Sequence, residues 1–248
     1  MKRLIIGNWK LYVSSLKEGK KLLADIDKKF PRGVKADIVV CPPVALAAAL
    51  KAGYRGKRIA FGTQNVFWDE GAHTGQVAAS SLKNAGIDYV LIGHSEMRAE
   101  GETNEAVAKK TAAALAARLH PIVCIGETTR DVEGKFFSEI ERMTKESLAR
   151  VEPVHSARLT IAYEPVWAIG KEEAASPRVA VESILYIRKT LADMWGRERA
   201  LKTRIIYGAS VTPENAALFA EEKNIQGLLP GRASVDAAEF TSIIKAFS

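Results

Sequence analysis

Four side chains carry most of the chemistry this sequence could perform: the ammonium of Lys10, the imidazole of His94 and the carboxylates of Glu96 and Glu164. Each directly follows a short apolar run. Asn8-Trp9-Lys10 comes after the run at residues 4–7, His94-Ser95-Glu96 after 89–93, and Glu164-Pro165 after 159–163. Gln64 and Asn65 end another run, and Glu127 ends a fifth. Two glycine-containing turns, Gly208-Ala209-Ser210 and Gly231-Arg232-Ala233-Ser234, close two more. A carboxylate opposite an imidazole can move a proton at a carbon beside a carbonyl: the glutamate abstracts it while the histidine polarises the oxygen. A lysine ammonium is a compact charge suited to an anion or a developing oxyanion. Successive backbone N–H groups in glycine turns, next to a helix N-terminus, suit a phosphate. Taken singly, each residue has a plainer reading. Lys10 could be a solvated lysine, His94 could satisfy a strand-end carbonyl, and Glu164 could cap a loop or pair with an arginine. Glu96 could be an ordinary helix-start acid, and the glycine turns mere connectors. Only a fold that gathers them on one rim makes a site of them.

Other chemistries find no support. There is no serine nucleophile elbow, no Walker motif, no Gly-x-Gly-x-x-Gly and no metal-ligand triad, so neither a cofactor nor a metal is expected. Cys41 and Cys124 sit inside apolar runs without a Cys-x-x-Cys spacing, which predicts buried, reduced thiols. The N-terminal apolar stretch is too short for a signal peptide. No run approaches the roughly 18 apolar residues of a membrane span. A cytoplasmic chain with no membrane partner is the expectation. The net charge of +7 admits a nucleic acid or a small anionic substrate. Basic residues are interleaved with acids, as in Lys17-Glu18 and Glu221-Glu222-Lys223, and form no stripe with aromatics, which argues against nucleic acid.

The elements that must position these groups can be read from hydropathy. Eight apolar runs recur, at residues 4–7, 37–41, 59–62, 89–93, 122–126, 159–163, 205–208 and 227–229. Their length and β-branched content predict strands buried on both faces. Amphipathic segments lie between them. Leu16, Leu22, Leu23 and Ile26 mark one helical face, and Val107, Ala112, Leu115 and Leu119 a second. Ile184, Leu185, Ile187 and Leu191 mark a third, and Phe240, Ile243, Ile244 and Phe247 a fourth. Ser176-Pro177 and Thr212-Pro213 offer helix starts, and Asp236 with Glu239 resembles a capping box. Strand alternating with helix implies a parallel sheet built from right-handed crossovers. Eight such units in 248 residues leave about 31 each, enough for a strand, a helix and two loops. The spacing predicts one domain over residues 1–248, an α/β chain closed as a (β/α)8 barrel, with a doubly wound open sheet as the rival. In such a barrel the C-terminal strand ends share one rim, and the polar residues above all follow strand ends.

At these residues the sequence resembles the triosephosphate isomerase family along its whole length. The resemblance is carried by Gly7-Asn8-Trp9-Lys10, Gln64-Asn65-Val66, Gly93-His94-Ser95-Glu96, Cys124-Ile125-Gly126-Glu127, the stretch from Ala162 to Gly170, Ile206-Tyr207-Gly208 and Gly231. It implies a glycolytic and gluconeogenic isomerase interconverting dihydroxyacetone phosphate and D-glyceraldehyde 3-phosphate through an enediolate. On that resemblance Glu164 is the base, His94 a neutral electrophile and Lys10 an electrostatic stabiliser. Asn8 orients Lys10 and the substrate, while Ser95 and Glu96 support the site. Gly170, Ser210, Gly231 and Arg232 supply phosphate contacts, and a lid runs from Pro165 to Ala175. The resemblance also implies a homodimer in which the loop from Gln64 to Gly75, carrying Phe67 and Trp68, docks beside the partner's site.

The chain departs from the family pattern in places. Its lid tip reads Ile169-Gly170-Lys171-Glu172-Glu173 where Ile-Gly-Thr-Gly-Lys is common. Ala209 replaces a glycine, and Arg232 follows Gly231 where a second glycine is usual, with Pro230 before them. Met97 and Gln76 differ at positions tied to subunit contact, and the stretch Ala99-Glu100-Gly101-Glu102 lacks the usual aromatic. The altered lid raises an alternative, an isomerase of a longer sugar phosphate such as a tetrulose phosphate. A catalytically silent binding protein is a third reading, opposed by the presence of Asn8, Lys10, His94 and Glu164.

Overall fold

The computed structural model describes residues 2–170 and 175–247. Its eight parallel strands are β1 (Arg3–Asn8), β2 (Ala36–Cys41), β3 (Ile59–Thr63), β4 (Tyr89–Ile92), β5 (His120–Ile125), β6 (Thr160–Tyr163), β7 (Arg204–Tyr207) and β8 (Gly227–Leu228). They pair in chain order and close, β8 returning to β1 through Leu4 opposite Gly227 and Ile5 opposite Leu228. The closed (β/α)8 barrel is the predicted architecture, and the open sheet is excluded. Alternation along β1 shows how the strands divide the core. Leu4 and Ile6 point into the barrel with Val39, Cys41, Leu91, Ile122, Cys124, Ala162, Ile206 and Leu229. Ile5 joins the larger layer between strands and helices. Both cysteines are buried free thiols.

The outer ring comprises α1 (Leu16–Lys29), α2 (Val44–Gly53), α3 (Ala79–Asn84), α4 (Ser95–Ala99), α5 (Asn104–Ala116), α6 (Phe136–Ser147), α7 (Pro177–Trp195), α8 (Arg197–Lys202), α9 (Pro213–Glu221) and α10 (Ala237–Lys245). Their starts follow local chemistry. Ser15 and Glu18 form a reciprocal capping box on α1. Ser176 caps α7 with Pro177 at its first position. Asp236 accepts from the N–H groups of Ala238 and Glu239 at the start of α10. On α1, Leu22, Leu23 and Ile26 are buried, and each contributes about 1.5–3 kcal/mol relative to exposure. All four residues predicted for α10's apolar face are buried as well.

The faces of three helices need correction. Leu16 is the first residue of α1 and is 38% exposed, because a first-turn side chain overhangs the helix end. On α5 the buried face is Val107, Ala108, Thr111, Ala114 and Leu115, with Ala112 only half-buried. Leu185 on α7 is 47% exposed, since Ser183, Ile184 and Ile187 fill the inward stripe.

Candidate active site

The rim residues meet in a cavity of about 510 Å3 at the C-terminal ends of the strands. Asn8, Lys10, His94, Glu164, Gly170, Ser210, Gly231 and Arg232 all line it. Ser95 does not; it faces the neighbouring groove between α4, α5 and α6. Glu96 reaches the site indirectly, its Oε1 accepting from Lys10 Nζ at 2.5 Å. The lid expected from Pro165 to Ala175 is described only in part. Val166–Ala168 is a 3-10 turn, and Gly170 lines the cavity. The departures at Lys171, Glu172 and Glu173 lie outside the described residues.

His94 ends the loop after β4 and caps α4. The Glu96 backbone N–H donates to its Nδ1 at 3.2 Å. A ring nitrogen that accepts an N–H carries no proton of its own, so this bond leaves the ring hydrogen for Nε2. That Nε2 lies 3.6 Å from Glu164 Oε1, inside the cavity. Glu164 follows β6 and is 2% exposed. Among the described residues no N–H or O–H donor hydrogen-bonds to either carboxylate oxygen, and the Cys124 thiol, a weak donor, is its one hydrogen-bond partner. A polar group left this way costs about 1–3 kcal/mol, and a charged one more, so the arrangement is maintained against stability. Burial, and then the Glu164 charge beside it, pushes the Cys124 thiol up. Room for the carboxylate comes from Gly208, where a Cβ would sit 3.0 Å from Glu164 Cγ and 3.2 Å from its Oε1.

Lys10 has a φ of +46°, a left-handed backbone that costs on the order of 1–3 kcal/mol in a non-glycine residue. Its N–H donates to the Asn8 Oδ1 at 3.1 Å. Another part of the wall comes from the loops after β7 and β8. Ser210 also has positive φ, and its hydroxyl donates to the Ala168 carbonyl at 2.8 Å, tying the β7 loop to the base of the lid. Gly231 and Arg232 open the 3-10 turn Arg232–Val235. First-turn N–H groups have no acceptor within their own helix and so can serve an anion. The Arg232 guanidinium lies over the Tyr12 ring, 5.9 Å from its centroid. Among the described residues no group of three His, Cys, Asp or Glu side chains is placed to hold a metal.

The triosephosphate isomerase family model matches residues 3–247. A triosephosphate isomerase of Thermoanaerobacter pseudethanolicus is 41% identical, the match covering 97% of this chain and 98% of the relative. Those of Moorella thermoacetica and Carboxydothermus hydrogenoformans are each 42% identical over at least 97% of both chains. The chain belongs to the triosephosphate isomerase family.

Within this triosephosphate isomerase family site, two supports escape a reading by residue type. Glu127 is fully buried, and its Oε1 accepts from Tyr163 OH and Trp167 Nε1, both at 2.9 Å. It thereby anchors the Val166–Ala168 turn after β6. Its place at the end of a predicted strand was the available signal. Gln64 reaches the Lys10 carbonyl from the end of β3. Tyr12, Thr212 and Glu239 also line the cavity, and nothing in their local sequence marks them.

Proposed function

We propose that this chain interconverts dihydroxyacetone phosphate and D-glyceraldehyde 3-phosphate by proton transfer through an enediolate, with Glu164 as base and His94 and Lys10 stabilising the oxygens. The observation that carries the assignment of roles is the pairing of a buried Glu164 carboxylate, met by no N–H or O–H donor among the described residues, with a His94 whose Nε2 faces it in the same cavity while its Nδ1 accepts the Glu96 N–H. A desolvated carboxylate is free to take a carbon-bound proton. A neutral imidazole donates to the adjacent oxygen without a charge to neutralise the base. Proton transfer alternates between neighbouring carbons while the substrate stays fixed, so one base and one donor suffice. Lys10 places positive charge on the same side as the Gly231 and Arg232 N–H groups, where a phosphate dianion would lie. Asn8 orients Lys10, Glu96 holds its ammonium, and Ser95 starts the helix that presents the Glu96 N–H to His94.

The partner is a small phosphorylated triose and, we propose, a second copy of this chain. The loop from Gln64 to Gly75 packs its own aromatics, Phe67 against Trp68 and His73, while residues 69–76 stand exposed. Leu11 is 82% exposed nearby in sequence to the site, with Tyr12 and Val44 also exposed, which leaves apolar surface to cover. The proposed location is the cytoplasm, where triose phosphates are handled; among the described residues no helix is long and apolar enough to cross a membrane. The test is turnover of dihydroxyacetone phosphate by the purified chain, run beside a four-carbon ketose phosphate and a sizing column. Efficient triose turnover by a dimer is expected. A strong preference for the four-carbon substrate would overturn the assignment.

A further inference from the structure

We propose that Gln64 is a positioning residue for Lys10, acting through the Lys10 peptide rather than on the substrate. The inference rests on the reading of Lys10 as the electrostatic partner of the reaction. Lys10 is one of three non-glycine residues with positive φ among those described. A backbone of that kind persists only where its surroundings over-determine it. Two side chains do so here. Asn8 accepts the Lys10 N–H from one side. From the other, Gln64 Nε2 donates to the Lys10 carbonyl at 2.7 Å and to the Cys41 carbonyl at 2.9 Å. The Trp9 N–H donates to that same Cys41 carbonyl at 3.1 Å, so the clamp joins the ends of β1, β2 and β3.

The chemistry of the clamp specifies its residue. A primary amide carries two hydrogens on one nitrogen, and both are used, each on a carbonyl. Glutamate would set a carboxylate against two carbonyl oxygens with nothing to donate. Asparagine would withdraw the donor by one methylene. Gln64 does not line the cavity, so any effect on turnover must pass through what it holds. What it holds is the root of the Lys10 side chain. The Lys10 stem runs along Gly231, where a Cβ would meet Lys10 Cε at 3.3 Å, and its Nζ sits on Glu96. If the Lys10 peptide relaxed toward negative φ, the Cα–Cβ bond would swing and carry the ammonium off that wall.

The experiment is a double-mutant cycle of Gln64→Met with Lys10→Ala, reading kcat and KM for dihydroxyacetone phosphate in the full-length chain. Methionine keeps the volume and removes both donors. Gln64→Met is expected to lower kcat/KM by about 10- to 100-fold, the penalty of an ångström-scale misplacement. In the Lys10→Ala background the same change is expected to cost less than about twofold. Equal losses in both backgrounds, or a Gln64→Met enzyme within about twofold of the parent, would overturn the inference. Should Gln64→Met fail to fold, Gln64→Asn is carried through the same cycle with the same outcomes. If Lys10→Ala alone leaves turnover intact, the role of Lys10 itself is wrong, and the inference falls with it. That outcome is distinct from one in which Lys10→Ala is inactive and Gln64→Met is not.

Discussion

Glu164→Gln should make this protein more stable and nearly inactive. The Glu164 side chain is 2% exposed, and among the described residues its one hydrogen-bond donor is the Cys124 thiol, a weak one. His94 Nε2 lies 3.6 Å from Glu164 Oε1, and the Glu96 N–H donates to the other nitrogen of that ring. An ionised carboxylate in that position gives up its water and receives little in return. Glutamine has nearly the same shape and no charge. Its amide is still buried, but at the lower end of the penalty for unsatisfied polar groups, so the exchange should return about 1–3 kcal/mol. For a chain of this size each kcal/mol moves the thermal midpoint by about 2–4 °C, which gives a rise of about 2–12 °C. The same exchange removes the proposed base, and general-base catalysis is worth about 10²- to 10⁴-fold. Thermal unfolding and coupled turnover of dihydroxyacetone phosphate, measured on one preparation, check both signs. A lower midpoint with turnover preserved would show Glu164 to be a structural carboxylate and would refute the argument. A turnover loss of less than about tenfold would place the base elsewhere.

Three further outcomes test the supports of the site. Glu127→Leu removes the acceptor of the Trp167 indole N–H and one of two partners of the Tyr163 hydroxyl, which also meets Ser183; at about 1–3 kcal/mol for the donor left without a partner, urea unfolding should show a loss of about 1–3 kcal/mol, and an unchanged midpoint would mean the anchor is idle. Gly208→Ala puts a Cβ 3.0 Å from Glu164 Cγ, so kcat should fall with little change in stability, and a fully active variant would show that the carboxylate has slack. Burial, and then Arg158, holds His120 below its ordinary value, so the unfolded chain takes up a proton that the folded one resists; stability is complete above about pH 6.5 and is lost as pH falls from there toward the folded value. His120→Phe keeps a ring against Tyr89, 5.0 Å away centroid to centroid, and should narrow the gap in thermal midpoint between about pH 7.5 and 5.5; an unchanged gap would assign that pH dependence to other groups.

What the sequence declares and what it conceals divide along a physical line. Parallel strands buried on both faces must be apolar at every position, so they stand out as continuous runs. The run at residues 4–7 sits inside β1, and those at 37–41 and 59–62 fall within a residue of β2 and β3. Helix rotation is harder to read where small residues blur the period, as in the Thr111-Ala112-Ala113-Ala114 stretch of α5. There a threonine is buried because its hydroxyl bonds back to the Val107 carbonyl at 2.7 Å. Lys110 is likewise buried against expectation for a lysine, because Glu102 and the side chain of Asn65 meet its ammonium. The candidate site repeats the division. Lys10, His94 and Glu164 each have a plainer reading alone and become legible together, once the eight apolar runs place them at strand ends on one rim. Gln64 and Glu127 act on groups far away in the chain: a carbonyl 54 residues off for Gln64, and ring donors 36 and 40 residues off for Glu127. No local pattern encodes such a partner; it exists only once the barrel has closed. A sequence therefore exposes the groups that react before it exposes the groups that hold them. The strained Lys10 backbone is where the two meet, because one of its supports is local, the Asn8 side chain two residues back, and the other, Gln64, requires β2 and β3 to be in place.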